Sequence, residues 1–105
     1  MMKSAVDVVY RDLTSSAALN DTISKKIEKL NRYTDQIVHS RVVIDIPHNH
    51  KHKGKQFRAS IEIDMKGSPI AVTQDNESIH IAVRDAFNTA ERKIKQLSAR
   101  QRVAH

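Results

Sequence analysis

At 105 residues, with 39% apolar and 29% charged residues and a formal net charge of +6, the chain has room for one small basic domain and not for two. It contains no Cys, which excludes disulfide frameworks, thiolate zinc sites and cysteine nucleophiles, and no window nears the roughly 18 consecutive apolar residues of a membrane span; a soluble protein of a reducing, cytoplasmic space is expected. Two Gly, two Pro and 4% aromatics argue against a linker or a base-stacking platform, while Ile, Val, Leu and Ala suffice for one modest core.

Ala5-Val6-Asp7-Val8-Val9-Tyr10 alternates and is enriched in β-branched residues, which predicts a first strand. Thr14, Ser15 and Ser16 offer N-cap oxygens ahead of a helical pattern. Leu19, Ile23, Ile27 and Leu30 recur at steps of four, four and three, one narrow stripe of a helix that runs to about Tyr33. At about 100° per residue, Lys25, Lys29 and Arg32 fall nearly opposite that stripe and Lys26 on its flank, so the helix is apolar on one side and basic on the other. Residues 37–46 are rich in β-branched side chains and stop at Pro47, which cannot donate to a ladder and marks a strand end or a sheet edge.

The polar, basic run that follows, with Gly54, has no apolar period and reads as a loop. From Phe57 to Met65 apolar and polar residues alternate, the pattern of a strand buried on one face and wet on the other. Lys66-Gly67-Ser68-Pro69 is a turn, and residues 70–73 form a short fourth strand. Asp75, Asn76, Glu77 and Ser78 can cap a second helix with Ile79, Val83, Ala86, Phe87, Ala90, Ile94 and Leu97 on one face. Arg84, Arg92 and Lys95 lie on its far side, Lys93 and Arg100 toward one flank, and Ile81 falls off the apolar stripe. The order β-α-β-β-β-α defines an α+β sandwich: a four-stranded mixed sheet with two helices packed on one face. A helix joins the first two strands, which makes them parallel, and the remaining pairs are antiparallel.

Basic residues concentrate in two places. Residues 47–58 contribute Lys51, Lys53, Lys55 and Arg58 with no acid, and residues 91–105 contribute Arg92, Lys93, Lys95, Arg100 and Arg102 against Glu91 alone. Such clusters favour phosphate binding through counterion release, whereas a solvated face and a frayed tail are the bland alternative. Lys25, Lys26, Lys29 and Arg32 on one helix, with Arg84, Arg92, Lys93, Lys95 and Arg100 on the other, can line a groove that grips phosphates by charge and shape. Lys51, Lys53 and Lys55 would add a secondary RNA contact. Tyr10, Tyr33, Phe57 and Phe87 all fall where a core would use them, so none is expected to stack bases.

There is no G-x-S-x-G, no Gly-rich loop ending in Lys-Ser or Lys-Thr and no H-E-x-x-H; an enzyme, a cofactor and a small-molecule substrate are not expected. His48, His50 and His52 alternate and in an extended segment would point to one side, as three ligands of zinc, nickel or copper do. Lys51, Lys53 and Lys55 interleave with them and repel a cation, and no Cys or nearby acid closes a site. Solvated histidines, or phosphate contacts when protonated, are therefore the expectation. His39, His80 and His105 are isolated and carry no signal.

The element order, the segment KKIEKLNRYTDQI at 25–37 and the run SIHIAVRDAF at 78–87 together resemble the ribosome hibernation-promoting factor family, also called ribosome-associated translation inhibitors. The likeness covers nearly the whole chain and is closest to a subgroup whose second strand runs into Pro-His-x-His-x-His-Lys-Gly, here residues 47–54. Lys26, Ile27, Lys29 and Leu30 match the family's first-helix pattern. Two departures stand out. Arg84 replaces the acid of an Ala-Ile-Asp pattern, and Lys93-Ile94-Lys95-Gln96-Leu97-Ser98 shifts both lysines of a Gln-Leu-x-Lys-x-Lys motif out of register.

The resemblance implies a single ribosome-binding domain over residues 1–105; a monomer or weak homo-oligomer is expected, with the short fourth strand or the Pro47 edge as the place where a sheet edge could pair. Its partner would be ribosomal RNA of the small subunit near the decoding region, and its effect inhibition of translation during stress or stationary phase. The altered last helix motivates an alternative, a module for another structured RNA or a protein partner on the same fold. A metal-binding domain built on the histidine run is a third expectation to test.

Overall fold

A computed structural model describes residues 5–47 and 56–103, with side-chain surroundings for 6–47 and 56–97. The elements are β1 (Ala5–Tyr10), α1 (Ala17–Tyr33), β2 (Ile37–Asp45), β3 (Phe57–Met65), β4 (Ile70–Asn76) and α2 (Ile79–Val103). The sheet order is β1-β2-β3-β4, with β1 parallel to β2 and the other pairs antiparallel. This is the expected α+β architecture.

Register shows how alternation builds the core. Val8, Val42, Ile61 and Val72 form one row across the sheet, and Val6, Ser40, Ile63 and Ile70 the next. Both rows lie under the helices. Leu19, Ile23, Ile27 and Leu30 of α1 and Val83, Ala86, Phe87, Ala90 and Ile94 of α2 close over them, each at most 3% exposed. Small Ala82, Ala86 and Ala90 bring α2 close to the sheet, since van der Waals contact needs no larger side chain there.

The helix starts follow from local hydrogen bonding. Ser16 is extended and its Oγ accepts from Leu19 N at 3.2 Å, satisfying one amide that the first turn leaves without a partner. At α2, Ser78 Oγ accepts from Ile81 N at 3.4 Å, and Asn76 Oδ1 accepts from Ser78 N at 2.9 Å. Ile81 is thus the third residue of α2, half-buried at a helix start. Between β3 and β4, Ser68 N donates to Met65 O at 3.2 Å, and Gly67 sits at φ 82°, which a type II turn demands of its third residue.

Three sequence expectations need correction. The fourth strand continues to Asn76, because Gln74, Asp75 and Asn76 pair with Ala59, Arg58 and Phe57 although their polarity hides the strand period. Of the two readings of Pro47, the strand end holds and the sheet edge does not: β2 stops at Asp45 and is flanked on both sides, so the sheet edges are β1 and β4. Tyr33 is 39% exposed rather than in the core, while Phe87 is buried and Tyr10 and Phe57 are half-buried. The Tyr10 hydroxyl donates to Asn20 Oδ1 at 2.8 Å, tying β1 to α1.

Candidate nucleic-acid interface

The two helices meet at Glu91. Lys29 Nζ of α1 stands 3.2 Å from Glu91 Oε1, and Lys95 Nζ, one turn further along α2, stands 3.9 Å from Oε2. Lys95 Nζ also lies 4.6 Å from the centre of the Tyr33 ring, a cation–π contact. Residues 29 and 33 face 91 and 95 in the same order, so α1 and α2 run in the same direction. This explains the exposure of Tyr33: at the last turn of α1 its ring serves as the seat of a lysine from the other helix.

The Glu91 carboxylate is 20% exposed. Burial pushes its pKa up, but the hydrogen bond and charge of Lys29, the charge of Lys95 and hydrogen bonding with Tyr33 outweigh burial and hold it below the usual carboxylate range. Two lysines are thereby drawn to one point between the helices at the expense of one negative charge. The other expected contacts are placed less uniformly. Lys25 pairs with Asp21 at 3.1 Å along α1, and Arg84 pairs with the adjacent Asp85 at 3.2 Å. Lys26, Arg32, Arg92 and Lys93 have no ion pair among the described residues, and all but the half-buried Lys26 are exposed.

Lys93 does not join the groove. It reaches over the other flank of α2, toward Ser68, Pro69 and Ile70 at the edge of the sheet. The expected single groove therefore resolves into two neighbouring surfaces, an inter-helix strip with Lys29 and Lys95 at its middle and a flank carrying Lys93. Arg100 lies within α2, and the surroundings of its side chain fall outside the description. Lys51, Lys53, Lys55, His48, His50, His52 and His105 lie outside the described residues. Among the described residues no cluster of His, Cys, Asp or Glu has metal-holding geometry, and no helix is long and apolar enough to cross a membrane.

The sheet face turned away from the helices has the opposite electrostatic character. Asp7, Asp45, Glu62, Asp64 and Asp75 share it with Arg41, Arg58 and His39. Arg58 and Asp75, directly opposite on β3 and β4, form a two-point contact at 2.9 and 3.1 Å. That hydrogen bonding raises the guanidinium pKa despite partial burial. His39, read as isolated in the sequence, places Nε2 2.9 Å from Asp7 and Nδ1 3.8 Å from Asp64. Its partners come from neighbouring strands at distant sequence positions, which no local pattern announces.

A basic two-helix layer over a mixed four-stranded sheet defines a small binding domain, and comparison with known proteins supplies its family. The chain belongs to the family described as Sigma 54 modulation protein / S30EA ribosomal protein, which matches residues 6–102. That family is one of non-enzymatic ribosome-binding factors. Among curated proteins the chain is similar to the ribosome hibernation promotion factor of Deinococcus radiodurans, 21% identical over 90 residues, 86% of this chain and 47% of that protein. It spans about half the length of that relative.

Among solved structures it is similar to the Protein Y N-terminal domain of Thermus thermophilus, at a TM-score of 0.75 and 26% identity, covering 91% of this chain and 99% of that one. A ribosomal subunit interface protein from Coxiella burnetii shares the fold at a TM-score of 0.74 and 16% identity, covering 90% and 98%.

Proposed function

We propose that this chain binds ribosomal RNA of the small subunit near the decoding region and blocks translation during stress or stationary phase, acting in the cytoplasm as one binding domain without a cofactor. The observation that carries the reading is the meeting of Lys29 and Lys95 between parallel helices. There α1 and α2 present their cations on one side of the molecule, while the acids of the sheet face the other. Phosphates approaching the helices meet attraction, and those approaching the open sheet meet net repulsion; the charge pattern therefore orients the protein before contact.

Family membership and the name of the Deinococcus relative supply the ribosome as partner. The chemistry of the helix face supplies RNA backbone as the part contacted, since ammonium and guanidinium groups on a regular helix recognise phosphate spacing rather than base edges. The experiment is crosslinking of the chain to purified small and large subunits, with sequencing of the attached RNA and a parallel translation assay. Crosslinks confined to small-subunit RNA of the decoding region, with loss of translation at matching protein concentration, are expected. Crosslinks mainly to the large subunit, or to another RNA when cell extract is offered, would favour the fold's use on a different structured RNA.

A further inference from the structure

On the far flank of α2 from α1, a cavity of about 410 Å³ opens between the β3–β4 turn, the β4 edge and the helix. Ser68, Pro69, Ile70, Lys93, Gln96 and Leu97 line it. We infer that this cavity receives one unstacked nucleotide of the bound RNA, its phosphate on Lys93 and its base against Pro69 and Leu97. The inference deepens the RNA-binding reading above and rests on it.

The size is that of a small-ligand pocket, which runs from about 300 to 1,000 Å³. Its chemistry is mixed in the way a nucleotide requires. Pro69, Ile70 and Leu97 offer apolar surface for a base. The Gln96 amide supplies both a donor and an acceptor for base edges, and the Ser68 hydroxyl can do either. Lys93 is the charged group of the lining, no carboxylate lines the cavity, and Lys93 has no ion pair among the described residues. A cationic ligand is therefore disfavoured and an anion has an unneutralised partner.

Placement on the helix connects this cavity to the inter-helix strip. At about 100° per residue, the surface of α2 presents Glu91, Lys95, Arg92, Gln96 and Lys93 in that order from the α1 side to the β4 side. A strand of RNA held by Lys29 and Lys95 and continuing over the crest of α2 meets Arg92, then the neutral Gln96 and Lys93, a path that ends at the cavity mouth. Loops and bulges of RNA, unlike duplexes, have bases free to be splayed out at such a point. With no aromatic residue in the lining, the base packs on aliphatic surface, which gives a weak subsite tolerant of base identity.

The test is a titration of the isotope-labelled full chain, followed through backbone amide resonances, with adenosine and uridine monophosphates, inorganic phosphate and hexaglutamate. Both nucleotides are expected to shift Ser68, Ile70, Gln96 and Leu97 amides with dissociation constants of about 1–10 mM, the weak end of the affinity scale. Lys93→Gln and Gln96→Ala, both at exposed positions, should each weaken that response about threefold or more.

Equal shifts from inorganic phosphate would reduce the feature to a surface lysine and overturn the inference. So would tighter binding of hexaglutamate along β4, which would mark the edge as a protein-docking site, or no response of these amides to nucleotide. Small-subunit binding by the same chains keeps the two readings apart. If Lys26→Glu with Lys29→Glu abolishes subunit binding while nucleotides leave the cavity amides unmoved, the subsite fails and the RNA-binding face stands. If the unaltered chain does not bind subunits, the face fails and the subsite, which rests on it, fails too.

Discussion

Glu91 receives Lys29 at 3.2 Å and Lys95 at 3.9 Å, so one carboxylate cements the helix pair and also subtracts charge from the proposed RNA face. Its pKa is depressed in the folded chain, so its stabilisation is present above the unfolded-state value of about 4.3 and is lost as pH falls through the folded value. Glu91→Gln is therefore expected to cost about 0.5–1 kcal/mol at neutral pH, with the gap to the unaltered chain closing below about pH 4, as read by urea unfolding across pH. The same substitution should tighten RNA binding about two- to fivefold, because Lys29 and Lys95 lose their shared counter-charge. At Gly67 the cost of a side chain is purely conformational: nothing lies within 4 Å of where a Cβ would stand, yet φ is 82°. Gly67→Ala should destabilise by about 1–2 kcal/mol without altering RNA affinity, measured by thermal unfolding and subunit binding together.

The elements depend on a few local devices that sequence displays directly and on cross-strand pairing that it does not. Ser16 is legible as a cap because it stands three residues before Leu19, the start of a clear four-four-three stripe, and its removal tests that assignment. Ser16→Ala should cost about 1 kcal/mol in urea unfolding. Ser40 is the reverse case: its Oγ is buried without a partner in the middle of β2, beneath the helices. Ser40→Ala should stabilise the chain by about 0.5–1 kcal/mol, since a desolvated hydroxyl is replaced by a methyl of nearly the same size.

The polar end of β4 escaped local pattern because Gln74, Asp75 and Asn76 owe their strand geometry to β3, with Arg58 and Asp75 clasped across it. The exposure of Tyr33 has a related cause. Its partner Lys95 lies on the other helix, and only the relative placement of α1 and α2 brings them together.

For the molecule as a whole, the sequence reveals which residues are cationic and roughly how they sit on each helix, but not how the two helices turn toward one another. Lys29 and Lys95 converge on Glu91, whereas Lys93 faces the β4 edge. The acidic open sheet is likewise a product of register, since Asp7, Glu62 and Asp64 share it only once β1, β2 and β3 pair. This two-sided charge distribution separates the proposed binding face from the rest of the surface. Lys26→Glu with Lys29→Glu should lower small-subunit affinity about tenfold or more. Glu62→Gln with Asp64→Asn, on the opposite face, should change it less than about twofold.

The most direct test is co-sedimentation of the chain with small ribosomal subunits over a series of salt concentrations. A face that engages six or more phosphates is expected to lose about three orders of magnitude in affinity between about 50 and 200 mM monovalent salt, with a linear slope on logarithmic axes. Absence of co-sedimentation at the lowest salt, or binding whose strength does not change across the series, would contradict recognition of an RNA backbone by the helix face.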